Sequence, residues 1–283
     1  MKNILIPTDF SDNAMNALKY ALELFKYERA EFYFLHAYED EIYSDASLLN
    51  SGSFEDVVNR VKERSQDYLK SFLEAAKTIA PNPKYTYHTV CAYNSLIDEA
   101  DKIVTAKNID LIIMGTRGKS NAKEITFGSH TLQVLKYVQC PVLAIPEHYQ
   151  YKQPKHIVFT TNFMIPYKRR ELKLISEIAT PYRAVIDLLY VSKNDKLSRR
   201  QEDNKAFIIG ELPKTKVNFI VVDNKNMTNA IYIHMKENDT DLLVMVNTRR
   251  SFLENLLFAS AVDKMTLHID VPFLALQNMR RDY

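Results

Sequence analysis

The chain has 283 residues, 46% of them hydrophobic, with 37 lysines and arginines against 35 aspartates and glutamates and a formal charge of +2. The apolar share excludes a disordered chain, and the balanced charge gives neither nucleic acid nor an anionic membrane an electrostatic hold. No apolar run reaches the roughly 18–20 residues of a membrane span, Asp9 arrives too early for a signal-peptide core, and Cys91 and Cys140 show neither metal-ligand nor disulfide spacing, so a reduced, cytoplasmic protein is expected.

The apolar run Ile4-Leu5-Ile6 leads through Pro7-Thr8-Asp9-Phe10 to Ser11, a good N-cap, and then to Leu18, Leu22 and Phe25 at helical spacing. Glu31 to Ala37 reads as a buried second strand. A polar stretch, Glu39 to Ser53, precedes a long helix over roughly 55–80. Tyr85 to Val90 has the aromatic and β-branched residues of a strand, and Ser95 to Lys107 those of an amphipathic helix. Leu111 to Met114 is another buried strand, Ser129 to Val138 a helix, and Pro141 to Ile145 a last strand. Uniformly apolar strands alternating with helices predict a parallel sheet covered on both faces. In such a domain ligands sit beyond the carboxyl ends of the strands, where Pro7-Thr8-Asp9, Ala37 and Gly115 all fall.

The order then repeats. Ile157 to Phe163 echoes Ile4 to Phe10 at an offset of 153. Asp241-Leu242-Leu243-Val244-Met245 echoes Asp110 to Met114, Phe258-Ala259-Ser260 echoes Phe127-Gly128-Ser129, and Val271 to Ala275 echoes Cys140 to Ala144. These three pairs share an offset of 131, so the second copy is shorter, mostly between its second and third strands. A period of this size is a whole duplicated domain rather than a solenoid unit. The expected division is a first domain over 1–148, a linker over 149–155 and a second domain over 156–283.

Only five glycines occur, and Gly115, Gly118 and Gly128 fall within one short window. After the strand end at Met114 the pattern is G-x-x-G-x9-G-[ST], closing with Gly128-Ser129 at a helix start. Glycines let backbone approach an anion, and helix-start amides with the Ser129 hydroxyl supply donors, which is the logic of a phosphate site. Gly118-Lys119-Ser120 imitates the end of a P-loop, but that motif needs glycine at 113, where Ile113 sits inside a strand. Taken singly, Gly115 could end a strand, Asp9 could be a turn residue and Ser129 an N-cap. Arg117 and Lys119 read as mobile loop charges within reach of a phosphate, Glu39-Asp40-Glu41 as a solvated acidic loop, His36 as a half-buried histidine beside the pocket, and both cysteines as core.

The glycine window, the opening Ile4 to Ser11, the strand Phe34-Leu35-His36-Ala37 and the closing Cys140 to Ile145 resemble the universal stress protein family. The resemblance implies two doubly wound, five-stranded parallel-sheet α/β domains in tandem, flavodoxin-like or adenine-nucleotide α-hydrolase-like. It implies that Pro7, Thr8 and Asp9 face adenine and ribose and that Ala37 meets the adenine edge through its backbone. Gly115, Gly118, Gly128, Ser129 and His130 would line ribose and phosphates, with Met114 and Arg117 beside them. The ligand implied is ATP, or AMP or ADP, with or without magnesium. Pairing through the last strands is implied as well, Val142 to Ile145 and Phe273 to Leu276, as a homodimer or an intramolecular pseudo-dimer. In the second copy Gly115, Gly118 and Gly128 become Val246, Arg249 and Ala259, Pro7 becomes Thr160 and Asp9 becomes Asn162; only Ser260 survives. That half is expected to be a scaffold without ATP. The expected function is a nucleotide-binding stress-response module with slow ATP hydrolysis at most. An interaction protein without nucleotide, or an ATPase or phosphotransferase using Ser129, are the alternatives.

Overall fold

The computed structural model describes residues 1–44, 53–117, 127–193, 196–247 and 269–278, and the chain divides into two units, Met1–Tyr151 and Lys152–Tyr283. The first unit runs β1 (Lys2–Pro7), α1 (Asp12–Leu24), β2 (Ala30–Ala37), α2 (Glu39–Ser44), α3 (Phe54–Ile79), β3 (Tyr85–Ala92), α4 (Leu96–Ala106), β4 (Leu111–Gly115), α5 (Ser129–Tyr137) and β5 (Val142–Ile145). Its strands lie in the order β3-β2-β1-β4-β5, and all are parallel. This order puts the point where connections diverge between β1 and β4; the flavodoxin order, 2-1-3-4-5, would have put it between β1 and β3.

The helices begin where short polar side chains can replace missing backbone partners. Ser11, Ser53 and Ser95 cap α1, α3 and α4 by accepting the N–H groups of Ala14, Asp56 and Asp98. Each helix then buries one stripe: Val57, Val61, Leu69, Phe72 and Ala76 do so along α3. Ile4, Leu5 and Ile6 are wholly buried between the helical layers, each contributing roughly 1.5–3 kcal/mol. The acidic stretch is no solvated loop, because Glu39, Asp40 and Glu41 form the first turn of α2, where carboxylates favour the helix dipole. Cys140 is core as expected, whereas Cys91 is half-buried against the cluster of Tyr38, Ile42, Val57 and Val61. Residues 45–52 of the polar stretch lie outside the described residues.

The second unit repeats the plan: β6 (His156–Thr160), α6 (Arg169–Ala179), a short 3-10 turn (Thr180–Tyr182), β7 (Val185–Val191), α7 (Arg199–Gly210), β8 (Lys216–Val222), α8 (Met227–Glu237), β9 (Leu242–Asn247) and β10 (Phe273–Gln277). Within this unit the order is β8-β7-β6-β9-β10, all parallel, and matches the first unit strand for strand. The shortening falls where the sequence places it. Among the described residues, residues 38–84 join β2 to β3 and hold α2 and α3, whereas residues 192–215 join β7 to β8 around α7.

The second unit buries a carboxylate among three donors. Asp187 on β7 accepts hydrogen bonds from His156 Nε2 at 2.9 Å, His234 Nε2 at 3.0 Å and Asn218 Nδ2 at 2.8 Å. Burial pushes its carboxyl upward, but these three donors together hold it below the usual carboxylate range. No group of three His, Cys, Asp or Glu among the described residues can hold a metal ion.

Glu171 is the reverse case. It faces inward from α6 at 4% exposure, one oxygen accepts the Lys168 N–H at 3.3 Å, and the other has no partner among the described residues. Burial raises its pKa from 4.5 to about 7 despite that N–H and the Lys168 charge. Since the folded state holds this proton more tightly than the unfolded one, the group costs stability as pH rises from about 4.5 to about 7, and the cost is constant above that. Glu171→Gln should therefore match the wild type at pH 5 and exceed it by about 2–3 kcal/mol at pH 8. Denaturant melts across this range will show the gap open with pH; a gap independent of pH contradicts the assignment.

Candidate functional site

Because β1 connects toward β2 and β4 toward β5, a crevice opens beyond the carboxyl ends of β1 and β4, which pair as Ile4↔Leu111 and Leu5↔Ile112. Pro7 ends β1, Met114 and Gly115 end β4, and Thr8, Asp9 and Arg117 follow directly. Ala37 ends β2, which outruns β1: their register stops at Pro7↔Leu35, while β2 continues against β3 to Ala37↔Ala92. Gly118 lies outside the described residues.

The turn after β1 is held by its own side chains. The Thr8 N–H donates to the Leu35 carbonyl at 2.8 Å and the Thr8 carbonyl accepts from His36 Nδ1 at 2.8 Å. Both backbone groups of Thr8 are thus engaged within the protein. Thr8 Oγ1 accepts the Phe10 N–H, and Asp9 Oδ1 the Ser11 N–H, each at 3.0 Å. These bonds fix Phe10 in the left-handed region, φ 62°, a conformation costing a bulky residue about 1–2 kcal/mol. The second unit makes the same turn. Thr161 Oγ1 accepts from Phe163 N–H and Asn162 Oδ1 from Met164 N–H, both at 3.0 Å, and Phe163 has φ 57°. Asp9 therefore has a structural duty that asparagine performs equally well in the other half.

The segment after β4 is pinned at both feet. Thr116 N–H donates to the Ile145 carbonyl at 2.9 Å, and the Gly128 N–H returns to the Thr116 carbonyl at 2.8 Å. Thr131 Oγ1 on α5 donates to the Gly115 carbonyl at 2.9 Å, and Asn13 Nδ2 on α1 to the Arg117 carbonyl at 2.6 Å. Asn13 was not among the residues singled out from sequence. Arg117 is no mobile charge: its guanidinium is largely buried and lies 3.5 Å from Glu147.

Gly128, rather than Ser129, is the N-cap of α5, and no side chain among the described residues caps that helix. The capping reading of Ser129 therefore fails; it is the exposed first residue of the helix. Gly128 has φ −68° and ψ 165°, values open to any residue, so the backbone does not demand glycine there. His130 turns its ring to Asp40 of α2 at 3.2 Å. The next residue of α2, Glu41, meets Arg64 and lies 3.6 Å from His36.

The family model described as the universal stress protein family matches residues 1–146, about half of the chain. The chain belongs to that family. It is 33% identical over 154 residues to universal stress protein MJ0531 of Methanocaldococcus jannaschii, covering 54% of this chain and 84% of the relative. It is also 29% identical over 152 residues to universal stress protein MJ0577 of the same organism, covering 51% and 94%. A solved universal stress protein from Archaeoglobus fulgidus shares the fold over 99% of this chain and 97% of its own, with a TM-score of 0.70 at 16% identity. The doubly wound α/β fold thus extends over the full length, while the family model stops with the first half.

At the corresponding strand ends of the second half, the described residues of this universal stress protein bond to one another. Val246 occupies the position of Gly115 and is buried. The carbonyls of Asn162 and Phe163 accept from Gln201 and Asn204 of α7 at 2.8 and 2.6 Å. Asn247 Nδ2 donates to Gln277, Asn278 Nδ2 to the Pro166 carbonyl, and Thr161 Oγ1 meets the Tyr167 hydroxyl. Arg249, Ala259 and Ser260 lie outside the described residues.

The shared turn gives a clean separation of roles at Asp9. Asp9→Asn keeps the acceptor for Ser11, as Asn162 does for Met164, so its melting temperature should stay within about 1–2 °C of wild type. Asp9→Ala removes the acceptor and should lower it by roughly 2–4 °C. Equal losses in both variants would mean that the carboxylate charge, not the turn bond, holds the loop.

Proposed function

We propose that the first half binds an adenine nucleotide beyond the carboxyl ends of β1 and β4, and that the second half is a scaffold that binds none. One observation carries this reading: α5 begins on Gly128 with no capping side chain among the described residues, although α1, α3 and α4 in the same unit each begin on a capping serine. An uncapped helix start leaves N–H donors and the positive end of the dipole for an anion. Glycine, conformationally unnecessary there, leaves the room. The phosphates take that place, with the exposed Ser129 hydroxyl beside them. Adenine and ribose lie toward Asp9 and the open end of β2 at Ala37. With Arg117 held by Glu147, the attraction comes from backbone amides more than from a loop cation. In the second half the carbonyls of Asn162 and Phe163 and the amide of Asn247 are already bonded within the protein, which leaves a ligand fewer groups to recognise there.

The substitution that separates ligand from fold is Gly128→Asp. Aspartate is among the best N-caps, so it should leave the melting temperature unchanged or raise it by about 1–3 °C. Its carboxylate also occupies the anion position, so the affinity for Mg-ATP should fall about a hundredfold or more. Calorimetric titration of the nucleotide-free chain should find one site per chain in the wild type. No binding up to millimolar ATP, or undiminished binding in Gly128→Asp, overturns the proposal.

A further inference from the structure

Gly115 is glycine for a reason that lies inside the protein. A Cβ built on it would stand 2.6 Å from Asn13 Nδ2 and 2.7 Å from Asn13 Cγ, closer than real side chains approach. Asn13 cannot simply swing away. It is buried on the first turn of α1 at 7% exposure, and its Nδ2 is committed to the Arg117 carbonyl at 2.6 Å. Moving it would surrender the one side-chain bond by which α1 holds the start of the loop. The other half of this amide, Oδ1, is buried and has no hydrogen-bond partner among the described residues. Such a group costs about 1–3 kcal/mol, so the donor half must justify keeping an asparagine there.

The second half of the chain supplies an internal control. Asn13 is the second residue of α1, whereas the second residue of α6 is the exposed Arg170 and the position three residues after left-handed Phe163 is Pro166, in the loop before α6; neither place carries an amide side chain. In that half the counterpart of Gly115 is Val246, a buried side chain. The half with the asparagine has the glycine, and the half without it fills the space.

We infer that Asn13 is the positioning residue of the loop that follows β4, and that Gly115 lacks a side chain to admit Asn13 rather than to admit ligand. Asn13 sits at the crevice between β1 and β4 and fixes where the backbone leaves β4. It thereby sets the direction in which residue 117 enters the loop whose far foot is Gly128. Its influence on nucleotide affinity rests on the function proposed above; its coupling to Gly115 does not.

The test is a double-mutant cycle on the full chain, read by melting temperature and by Mg-ATP titration. Gly115→Ala alone should melt roughly 4–8 °C below wild type. In the Asn13→Ala background, which removes every atom the new Cβ would strike, Gly115→Ala should cost no more than about 1–2 °C further. Equal costs in the two backgrounds overturn the assignment of the glycine to Asn13. Asn13→Ala, and equally Asn13→Asp, which keeps the shape but removes the donor, should weaken Mg-ATP binding about tenfold. Wild-type affinity in both overturns the positioning role. If the wild type itself binds no ATP, the nucleotide reading and the positioning role fall, while the melting cycle still decides the pair.

Discussion

The structure depends on the place where β1 and β4 part company. In the order β3-β2-β1-β4-β5 these two strands are neighbours whose continuations leave in opposite directions, so a gap opens beyond their ends. Every feature of the candidate site answers to that constraint. The turn after β1 must double back at once, and it does so through a phenylalanine held left-handed by two side-chain oxygens. The loop after β4 must leave the sheet without a neighbour, and it is steadied by bonds from β5, α5 and α1.

The two halves show which parts of this solution belong to folding and which to ligand. The turn persists in both, down to the threonine oxygen, the acceptor at the next position and the positive φ. A strained residue is kept only where the fold needs it, so this strain is architectural. Gly115, Gly118 and Gly128 have no glycine at the matching positions of the second half, where Val246, Arg249 and Ala259 stand. In the second, amides of Gln201, Asn204, Asn247 and Asn278 tie the same strand ends together. Under the proposed function, the features assigned to ligand are an addition to a frame that stands without them.

Much of this was legible in the sequence because it is local or periodic. Apolar runs gave the strands, serine followed by a helical stripe gave the starts of α1 and α4, and three of five glycines in one window marked the loop. The duplication was legible too, and the place where the second copy is shorter. What could not be read came from contacts between distant segments. Asn13 touches the Arg117 backbone across more than a hundred residues, and the acidic run becomes a helix paired with His130 and Arg64. The start of α5 at Ser129 was legible as well, while the alternative of Ser129 as its N-cap is excluded by the backbone, which gives that place to Gly128. A signal for Asn13 did exist: asparagine at the second helix position with Gly115 in one copy, arginine (Arg170) there with Val246 in the other. It becomes visible once the two copies are read as pairs of positions rather than as motifs.

The tethers from α7 set a limit on refashioning the second half. Restoring glycine at 246 and acid at 162 would leave Gln201 and Asn204 still bonded to the Asn162 and Phe163 carbonyls, and Pro166 and Arg170 still without an amide to lend. The shorter link between β7 and β8 is what brings α7 to those carbonyls, so a new binding site there would require a longer chain before it required different side chains. Under the proposed function, the ties between α7 and these carbonyls are what point substitutions at 162 and 246 alone would leave in place.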